Sequence, residues 1–238
     1  MPVLREKDAE AIKLRFDTEL KRDVNLTLFT QHDTGLYIPG RNCPSCGPTQ
    51  TLLEEVTALS SRLHLEVVDF YKNVEDAIGR RIERIPALIV ASGERDNIRY
   101  FGTPAGLEFS VLLDAVIAVA SRRSVLGLET RRQLKALAED VHIPVFVAPT
   151  CRYCPSVARL AHAMAMESSK VTVDVIEIQE FPDMARAYTV MGVPKTVIND
   201  TLAFTGAVPE EVFMQRIMQA VGVDVPQEEA EERVSEQT

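Results

Sequence analysis

A repeated spacing of cysteines and prolines constrains this chain more than any other feature of its sequence. A Cys-x-x-Cys pair begins at Cys43 and again at Cys151, 108 residues later, and the same distance separates Pro86 from Pro194. Between these anchors the two halves align over 48 positions without a gap, with apolar residues on apolar residues and acids on acids in the segments best matched. We infer an internal duplication of one supersecondary unit.

The second pair lies between segments whose structure is well predicted. An apolar, strand-like run precedes it from Val141, and β-branched residues at Val171–Ile178 predict another strand. Between the pair and that strand, apolar residues recur at helical spacing: Val157, Leu160, Ala161, Met164 and Ala165. The cysteines therefore lie where a strand passes into a helix. Unpaired N–H groups at a helix start favour the thiolate, which is the reactive form of cysteine.

The pattern along the chain predicts two units and a tail. The first unit spans residues 1–123 and holds Cys43 and Cys46; the second spans 124–225 and holds Cys151 and Cys154. Each unit is predicted to have the order α-β-α-β-α-β-β-α, and so to form an α/β architecture with a mixed central sheet flanked by helices. Residues 226–238 are rich in Glu and Gln and predict a solvated, flexible acidic tail.

Composition narrows the classes of function. The net charge of −9 argues against nucleic acid or an anionic membrane as the main partner. No apolar run approaches the ~18 residues that span a bilayer, and the charged start Met1–Asp8 is unlike a signal peptide. We therefore expect a cytoplasmic protein. All four cysteines fall in the two pairs, which indicates redox or metal chemistry and not structural cross-linking.

Two other interpretations of the cysteines remain open. A tetrahedral zinc site using all four would make the chain a structural module, but such sites usually separate their pairs by about 12–20 residues, and here 104 residues intervene. Inert buried thiols are the other alternative. The repeated strand–turn–helix setting favours redox chemistry, and we expect no metal.

Pro86 and Pro194 each follow an aliphatic residue and precede an apolar strand. A proline at a strand start is tolerated because its missing N–H faces away from the ladder. The repeated spacing from cysteine to proline favours cis Ile85–Pro86 and Val193–Pro194 bonds, although cis is only about 5–6% of X–Pro bonds. Such loops would turn backbone groups toward an extended substrate. Tyr153 would frame the substrate groove.

Other polar residues give weaker signals. Asp69 and Glu177 match across the halves; either carboxylate would relay a proton if buried near a dithiol, but a strand-end acid in solvent is the favoured interpretation. Arg152 would lower the pKa of a neighbouring thiol. The loop before Cys43 is nine residues longer than its counterpart and would cover the first site. We expect the histidines at the surface or its boundary: His32, His64, His142 and His162.

Together, two Cys-x-x-Cys pairs, two Ile/Val-Pro loops and one duplicated unit resemble the tandem thioredoxin-fold protein disulfide oxidoreductases of thermophiles. The pair Cys151-Arg152-Tyr153-Cys154 is similar to the Cys-Pro-Tyr-Cys of glutaredoxins. The segment Val190–Pro194 also resembles the N-terminal thioredoxin-like module of the flavoprotein that reduces alkyl hydroperoxide peroxiredoxins. In that module the first unit lacks its cysteines, whereas Cys43 and Cys46 are present here.

The resemblance implies dithiol–disulfide exchange on disulfide-containing proteins, with recharging by a thioredoxin-reductase-like flavoprotein. The redox groups would be the Cys43–Cys46 and Cys151–Cys154 disulfides, with no further cofactor. Cys151 and Cys43 would attack, and Cys154 and Cys46 would resolve the mixed disulfide. An electron shuttle to a peroxiredoxin and a glutathione-dependent glutaredoxin are the alternative enzymatic interpretations.

Overall fold

The computed structural model describes residues 3–31, 41–91, 93 and 95–223. The first half contains α1 (Glu6–Glu19), β1 (Val24–Thr30), α2 (Cys46–Thr57), β2 (Leu63–Asp69), α3 (Val74–Gly79), β3 (Ala87–Ala91), β4 (Ile98–Phe101) and α4 (Leu107–Ser121). The second contains α5 (Leu128–Lys135), β5 (Val141–Val147), α6 (Cys154–Glu167), β6 (Val171–Glu177), α7 (Pro182–Ala187), β7 (Lys195–Ile198), β8 (Leu202–Thr205) and α8 (Glu210–Ala220).

This order confirms the predicted α-β-α-β-α-β-β-α pattern of both halves. Helix α2 begins at Cys46 and ends at Thr57, so the second cysteine of the first pair is already helical. The exact unit limits stay a prediction. The tail 226–238 and most of the long loop before Cys43, Tyr37 included, lie outside the described residues.

The eight strands of the described residues form one sheet in the order β2-β1-β3-β4-β6-β5-β7-β8. In each half, two strands pair in parallel and two hairpin-linked strands run antiparallel. The halves join where β4 pairs in parallel with β6, from Ile98 opposite Val173 to Phe101 opposite Ile176. The molecule is thus a single layered body built on a continuous sheet.

Backbone hydrogen bonds repeat between the halves and confirm the duplication. The Ile82 N–H donates to the Ala77 carbonyl at 2.8 Å, and the Val190 N–H donates to Ala185 at 2.8 Å. The residues immediately before them, Arg81 and Thr189, both take left-handed backbone conformations, with φ of 55° and 50°. The aligned sequences therefore fold into matching turns as well as matching elements.

The core runs through both halves without interruption. Helices α4 and α6 pack against each other on one face of the sheet. The apolar residues of α4, such as Leu112 and Val116, share one buried cluster with Ala158 and Ala161 of α6. Burial of these surfaces, at about 25 cal/mol per Å² of apolar area, is the main force that holds the halves together.

A buried ionic group also ties the halves together. The Arg99 Nε and Nη2 atoms of β4 donate to the two carboxylate oxygens of Asp174 on β6 at 2.5 and 2.8 Å. The His142 Nε2 atom lies 2.7 Å from Asp174. Burial alone raises the pKa of Asp174, but the bonded His142 and the charge of Arg99 outweigh it and hold that pKa below its ordinary value.

Within the described residues, no helix is both long enough and apolar enough to cross a bilayer.

Candidate redox sites

The second cysteine pair forms a disulfide at the start of α6. The Cα atoms of Cys151 and Cys154 are 5.5 Å apart, within the range of ordinary disulfides. Cys151 is partly exposed, whereas Cys154 is fully buried. The Cys154 backbone N–H donates to the Cys151 sulfur at 3.1 Å. A donor at a helix start stabilises negative charge, so this contact favours the Cys151 thiolate in the reduced form.

The first pair repeats this arrangement at the start of α2. Cys43 and Cys46 form a disulfide with a Cα separation of 5.4 Å. Cys43 is partly exposed, and Cys46 is 2% exposed. All four cysteines are described, and none is free. In both sites the outer sulfur is open to attack and the inner one is covered by protein.

The proline loop of the second unit lies beside its disulfide, and both loops have the same backbone geometry. The Ile85–Pro86 and Val193–Pro194 bonds are both cis. The Val193 carbonyl oxygen lies 3.7 Å from the Cys151 sulfur. Pro86 and Pro194 are buried, and their carbonyls accept the N–H groups of Gly102 and Gly206 at 3.0 and 2.8 Å. The loop that carries Pro194 therefore forms one wall of the second site.

The surfaces around the two sites differ in polarity. At the second site Tyr153 is 61% exposed and Met191 is 92% exposed. At the aligned positions the first site has Ser45 and Glu83. The side chain of Arg41, just before the first pair, lies over the ring of Tyr71 at 4.3 Å. The second site thus exposes two large apolar side chains, with the exposed Arg152 beside them, where the first site has polar residues at the aligned positions of Tyr153 and Met191.

The prediction that Asp69 and Glu177 point into solvent is wrong. Glu177 is 5% exposed, and its carboxylate accepts the backbone N–H groups of Gln179 and Glu180. Burial raises the pKa of Glu177. The carboxylate of Asp69, whose side chain is 12% exposed, accepts the N–H groups of Tyr71 and Lys72. Both acids cap the turn after a strand, a role that the sequence pattern did not indicate.

A third acid, Glu108, was missed by the sequence reasoning. Glu108 is 2% exposed, and neither carboxylate oxygen has a hydrogen-bond partner among the described residues. Burial raises the pKa of Glu108 to about 7, and the charge of Arg159 opposes the rise. The preceding residue, Leu107, donates its N–H to Pro149, two residues before Cys151. Helix 107–121 is strongly apolar and has only two acids, Glu108 and Asp114, and this contrast was the available signal.

The expectation for the histidines is wrong at His162 on α6. This residue is 3% exposed, and burial lowers its pKa to about 3, so it is neutral. Its ring contacts Tyr100 at a centroid distance of 5.3 Å. His142 belongs to the ionic group between the halves, and His64 is exposed. His32 lies outside the described residues.

Comparison with known proteins identifies the units. Residues 141–219 match the family model described as a thioredoxin domain. A protein disulfide oxidoreductase from Aeropyrum pernix superposes with a TM-score of 0.81 at 26% identity, covering 93% of this chain and 96% of that one. The protein is a tandem of two thioredoxin-like units. The predicted resemblance and fold class are confirmed, and the two disulfides at helix starts support thiol–disulfide exchange.

Further matches point to a second group of proteins. The N-terminal domain of the alkyl hydroperoxide reductase AhpF from Enterococcus faecalis superposes with a TM-score of 0.79 at 22% identity, covering 90% of this chain and 99% of that one. The F component of alkyl hydroperoxide reductase from Staphylococcus aureus is 27% identical over 149 residues, 62% of this chain and 27% of the relative. An NADH dehydrogenase of Ferdinandcohnia aciditolerans is 25% identical over 202 residues, 84% of this chain and 37% of the relative. The chain thus spans only about a third of the length of these curated relatives.

Proposed function

We propose that this protein is a thiol–disulfide oxidoreductase that exchanges disulfides with protein substrates through both Cys-x-x-Cys sites. The observation that carries the proposal is the order of burial within each disulfide. An exposed outer sulfur at a helix start and a covered inner sulfur three residues on are the arrangement that a nucleophile and a resolving thiol require.

The exchange follows from this order at the second site. In the reduced protein the Cys151 thiolate attacks one sulfur of a substrate disulfide, and the other substrate sulfur leaves as a thiolate that takes up a proton. Cys154 then loses its proton and attacks Cys151, which releases the second substrate thiol. The substrate gains two electrons and two protons, and the Cys151–Cys154 disulfide is formed. Cys43 and Cys46 have the corresponding roles in the first site.

The proline loops are the proposed substrate-docking elements. The Val193 carbonyl is 3.7 Å from the Cys151 sulfur, so a substrate strand at that sulfur also lies within reach of Val193 and Pro194. Exposed Tyr153 would pack against apolar substrate side chains. Ile85 and Pro86 occupy the matching positions at the first site. Backbone pairing gives affinity without demanding a particular sequence, which suits varied protein substrates.

Single-cysteine variants test the assignment of roles. Cys154→Ser is expected to attack a protein disulfide and accumulate a covalent complex, because no thiol remains to resolve it. Cys151→Ser is expected to form no such complex. The readout is the amount of mixed disulfide with oxidised insulin on non-reducing gels. A covalent complex in Cys151→Ser but not in Cys154→Ser would reverse the two roles.

The relatives favour a second candidate, an electron shuttle between a flavoprotein and a peroxiredoxin. The F component of alkyl hydroperoxide reductase is, by its name, one part of a peroxide-reducing system, and 62% of this chain aligns with it. A thioredoxin-reductase-like flavoprotein would then be the donor and a peroxiredoxin the acceptor. Peroxide consumption that needs a particular peroxiredoxin, together with no insulin reduction, would favour this candidate over the first.

We propose that the two disulfides are the only redox groups and that the protein works in the cytoplasm, where thiols are kept reduced. Metal analysis of protein purified under reduction tests the zinc alternative, and one tightly held zinc per chain would support it. A Cys154→Ser variant that still removes glutathione from substrates would support the glutaredoxin alternative.

A further inference from the structure

A cavity of about 330 Å³ lies at the C-terminal ends of α4 and α6, far from both disulfides. It is lined by Val119 near the end of α4 and by Met166 near the end of α6, whereas Cys154 begins α6. The start of β4 and helix α5 complete its walls, so both units contribute to it. Its volume is in the range of small-molecule sites. Nothing in the proposed exchange chemistry uses this cavity.

The walls combine an apolar floor with a cationic rim. The floor consists of Val90, Ile98, Val119, Ala163 and Met166. The rim carries five cationic side chains: Arg95, Arg122, Arg123, Arg131 and Lys135. Among the described residues that line the cavity, Glu167 is the single carboxylate. Such a cluster stands out in a chain whose net charge is −9, and it indicates a site for an anion.

Among the described residues, carboxylates compensate only part of this positive charge. The Glu167 carboxylate bonds the Arg131 Nε and Lys135 Nζ atoms, each at 3.1 Å. The Arg95 Nη1 atom donates to the Met166 carbonyl at 2.9 Å, at the end of α6. The described ion pairs leave Arg122 and Arg123 without a carboxylate. Within the part of the chain that the structure describes, these two guanidinium groups, adjacent in sequence, are the cations of the cavity that have no carboxylate partner and face a ligand first.

The backbone at Arg122 strengthens this assignment. Arg122 follows the last residue of α4 in the left-handed conformation, with φ of 52°. Glycine is the usual residue there, and other residues pay roughly 1 kcal/mol for that conformation. A Cβ atom built on Gly93 would lie 3.8 Å from the Arg122 Nη2 atom, which places the guanidinium beside the turn before β4. An arginine at this position therefore destabilises the backbone relative to glycine, and it brings a guanidinium group to the cavity.

We propose that this cavity binds a phosphate-bearing small molecule, with its phosphates on Arg122 and Arg123 and its organic part on the apolar floor. Guanidinium groups bind phosphate oxygens through paired N–H donors, which makes arginine suited to such ligands. The competing explanation is that the cations serve only to stabilise the carbonyl ends of α4 and α6. This proposal does not depend on the redox function, since it concerns different residues and a different ligand.

Calorimetric titration of the full chain with inorganic pyrophosphate and with adenosine diphosphate, at low salt, tests the proposal. We expect one saturable site per chain, with adenosine diphosphate binding more tightly than pyrophosphate because of the apolar floor. Arg122→Gly and Arg123→Ala should each weaken both ligands by about tenfold or more, the scale of a charge-assisted hydrogen bond. Arg122→Gly should keep or raise the melting temperature, because glycine suits the left-handed backbone.

A matched control is Arg132→Ala combined with Arg216→Ala, which removes two cations that do not line the cavity. This variant should bind both ligands as the natural chain does. Absence of saturable binding would mean that the cations act only on the helix ends. Equal affinity in Arg122→Gly, Arg123→Ala and the natural chain would place the anion elsewhere. Adenosine diphosphate binding no tighter than pyrophosphate would overturn the role of the floor.

Discussion

The two redox sites share one sequence pattern but occupy different places in the sheet. In the second unit β6 lies between β4 and β5, and its residues are almost all buried. In the first unit the equivalent strand, β2, is an edge strand in which only Leu63 and Val68 are buried. Because the two copies join through β4 and β6, the parallel strands of the second unit are enclosed more deeply than those of the first.

This difference extends to the side chains around each disulfide. Glu177 at the end of β6 is 5% exposed and has a raised pKa, whereas its counterpart Asp69 lies at the sheet edge. Glu108 of the first unit is buried next to the segment that leads into Cys151. Duplication thus supplies two disulfides, and the packing between the copies makes their surroundings unequal. We expect this inequality to appear in activity, stability and substrate preference.

The largest expected effect is on disulfide reduction. Replacing both Cys151 and Cys154 by serine should lower insulin reduction by more than about tenfold, because the thiolate that the Cys154 N–H stabilises beside the exposed Tyr153 is lost. Replacing Cys43 and Cys46 should leave most of the activity. Turbidity of reduced insulin in the presence of dithiothreitol gives the rate. An inactive Cys43→Ser/Cys46→Ser protein beside an active second-site double variant would show that the first site leads.

The next largest effect is on stability at the junction of the units. Arg99→Met leaves Asp174 as a buried carboxylate with only His142 beside it, and loss of one partner of a buried pair costs about 3–5 kcal/mol. Urea unfolding at pH 7 measures the change. The control is Arg5→Met, which breaks an ion pair whose side chains are 85% and 43% exposed and should cost less than about 1 kcal/mol. Equal losses of unfolding free energy in the two variants would mean that the buried ion pair contributes no more stability than an exposed one.

The sequence predicts the repeated order of helices and strands and the positions of the cysteines and prolines. These depend on local spacing, and the duplication shows the same spacing twice. It does not predict which strands of the two copies meet, since pairing of β4 with β6 depends on surfaces distant in the chain. For the same reason it misplaces His162 and Glu177 and passes over Glu108, whose burial results from contact between the units. Polar residues on an apolar helix look alike whether they face solvent or another helix.

A smaller effect concerns Glu108, which stands where the aligned helix α8 has Val212. Its folded pKa of about 7 is above that of a free carboxyl, so the folded state retains a proton that the unfolded chain loses. This group therefore costs no stability below about pH 4.5, and its cost grows as pH rises toward 7. Glu108→Gln should raise the free energy of unfolding by about 1–3 kcal/mol at pH 8 and hardly at all at pH 4. Thermal and urea unfolding across this pH range measure the difference.

The control for Glu108 is Glu75→Gln on the exposed side of α3. This variant should change the free energy of unfolding by no more than about 0.5 kcal/mol at pH 4 and at pH 8, as is usual for an exposed side chain. If Glu108→Gln gave the same stability change at pH 4 and pH 8, the carboxyl of Glu108 would not titrate in the way that its burial implies.

The smallest expected effect is on substrate preference. It tests whether the exposed residues around each disulfide account for the difference in activity between the two sites. Met191→Glu and Tyr153→Ser give the second site the residues found at the aligned positions of the first. Both side chains are exposed, so the fold and the reaction of Cys151 with a small disulfide should be unaffected. KM for an apolar protein disulfide should rise a few-fold, since each variant removes roughly 1 kcal/mol of apolar contact. An unchanged KM would assign the inequality to the buried surroundings of Cys151, and a matching loss with the small disulfide would mean that the disulfide itself was disturbed.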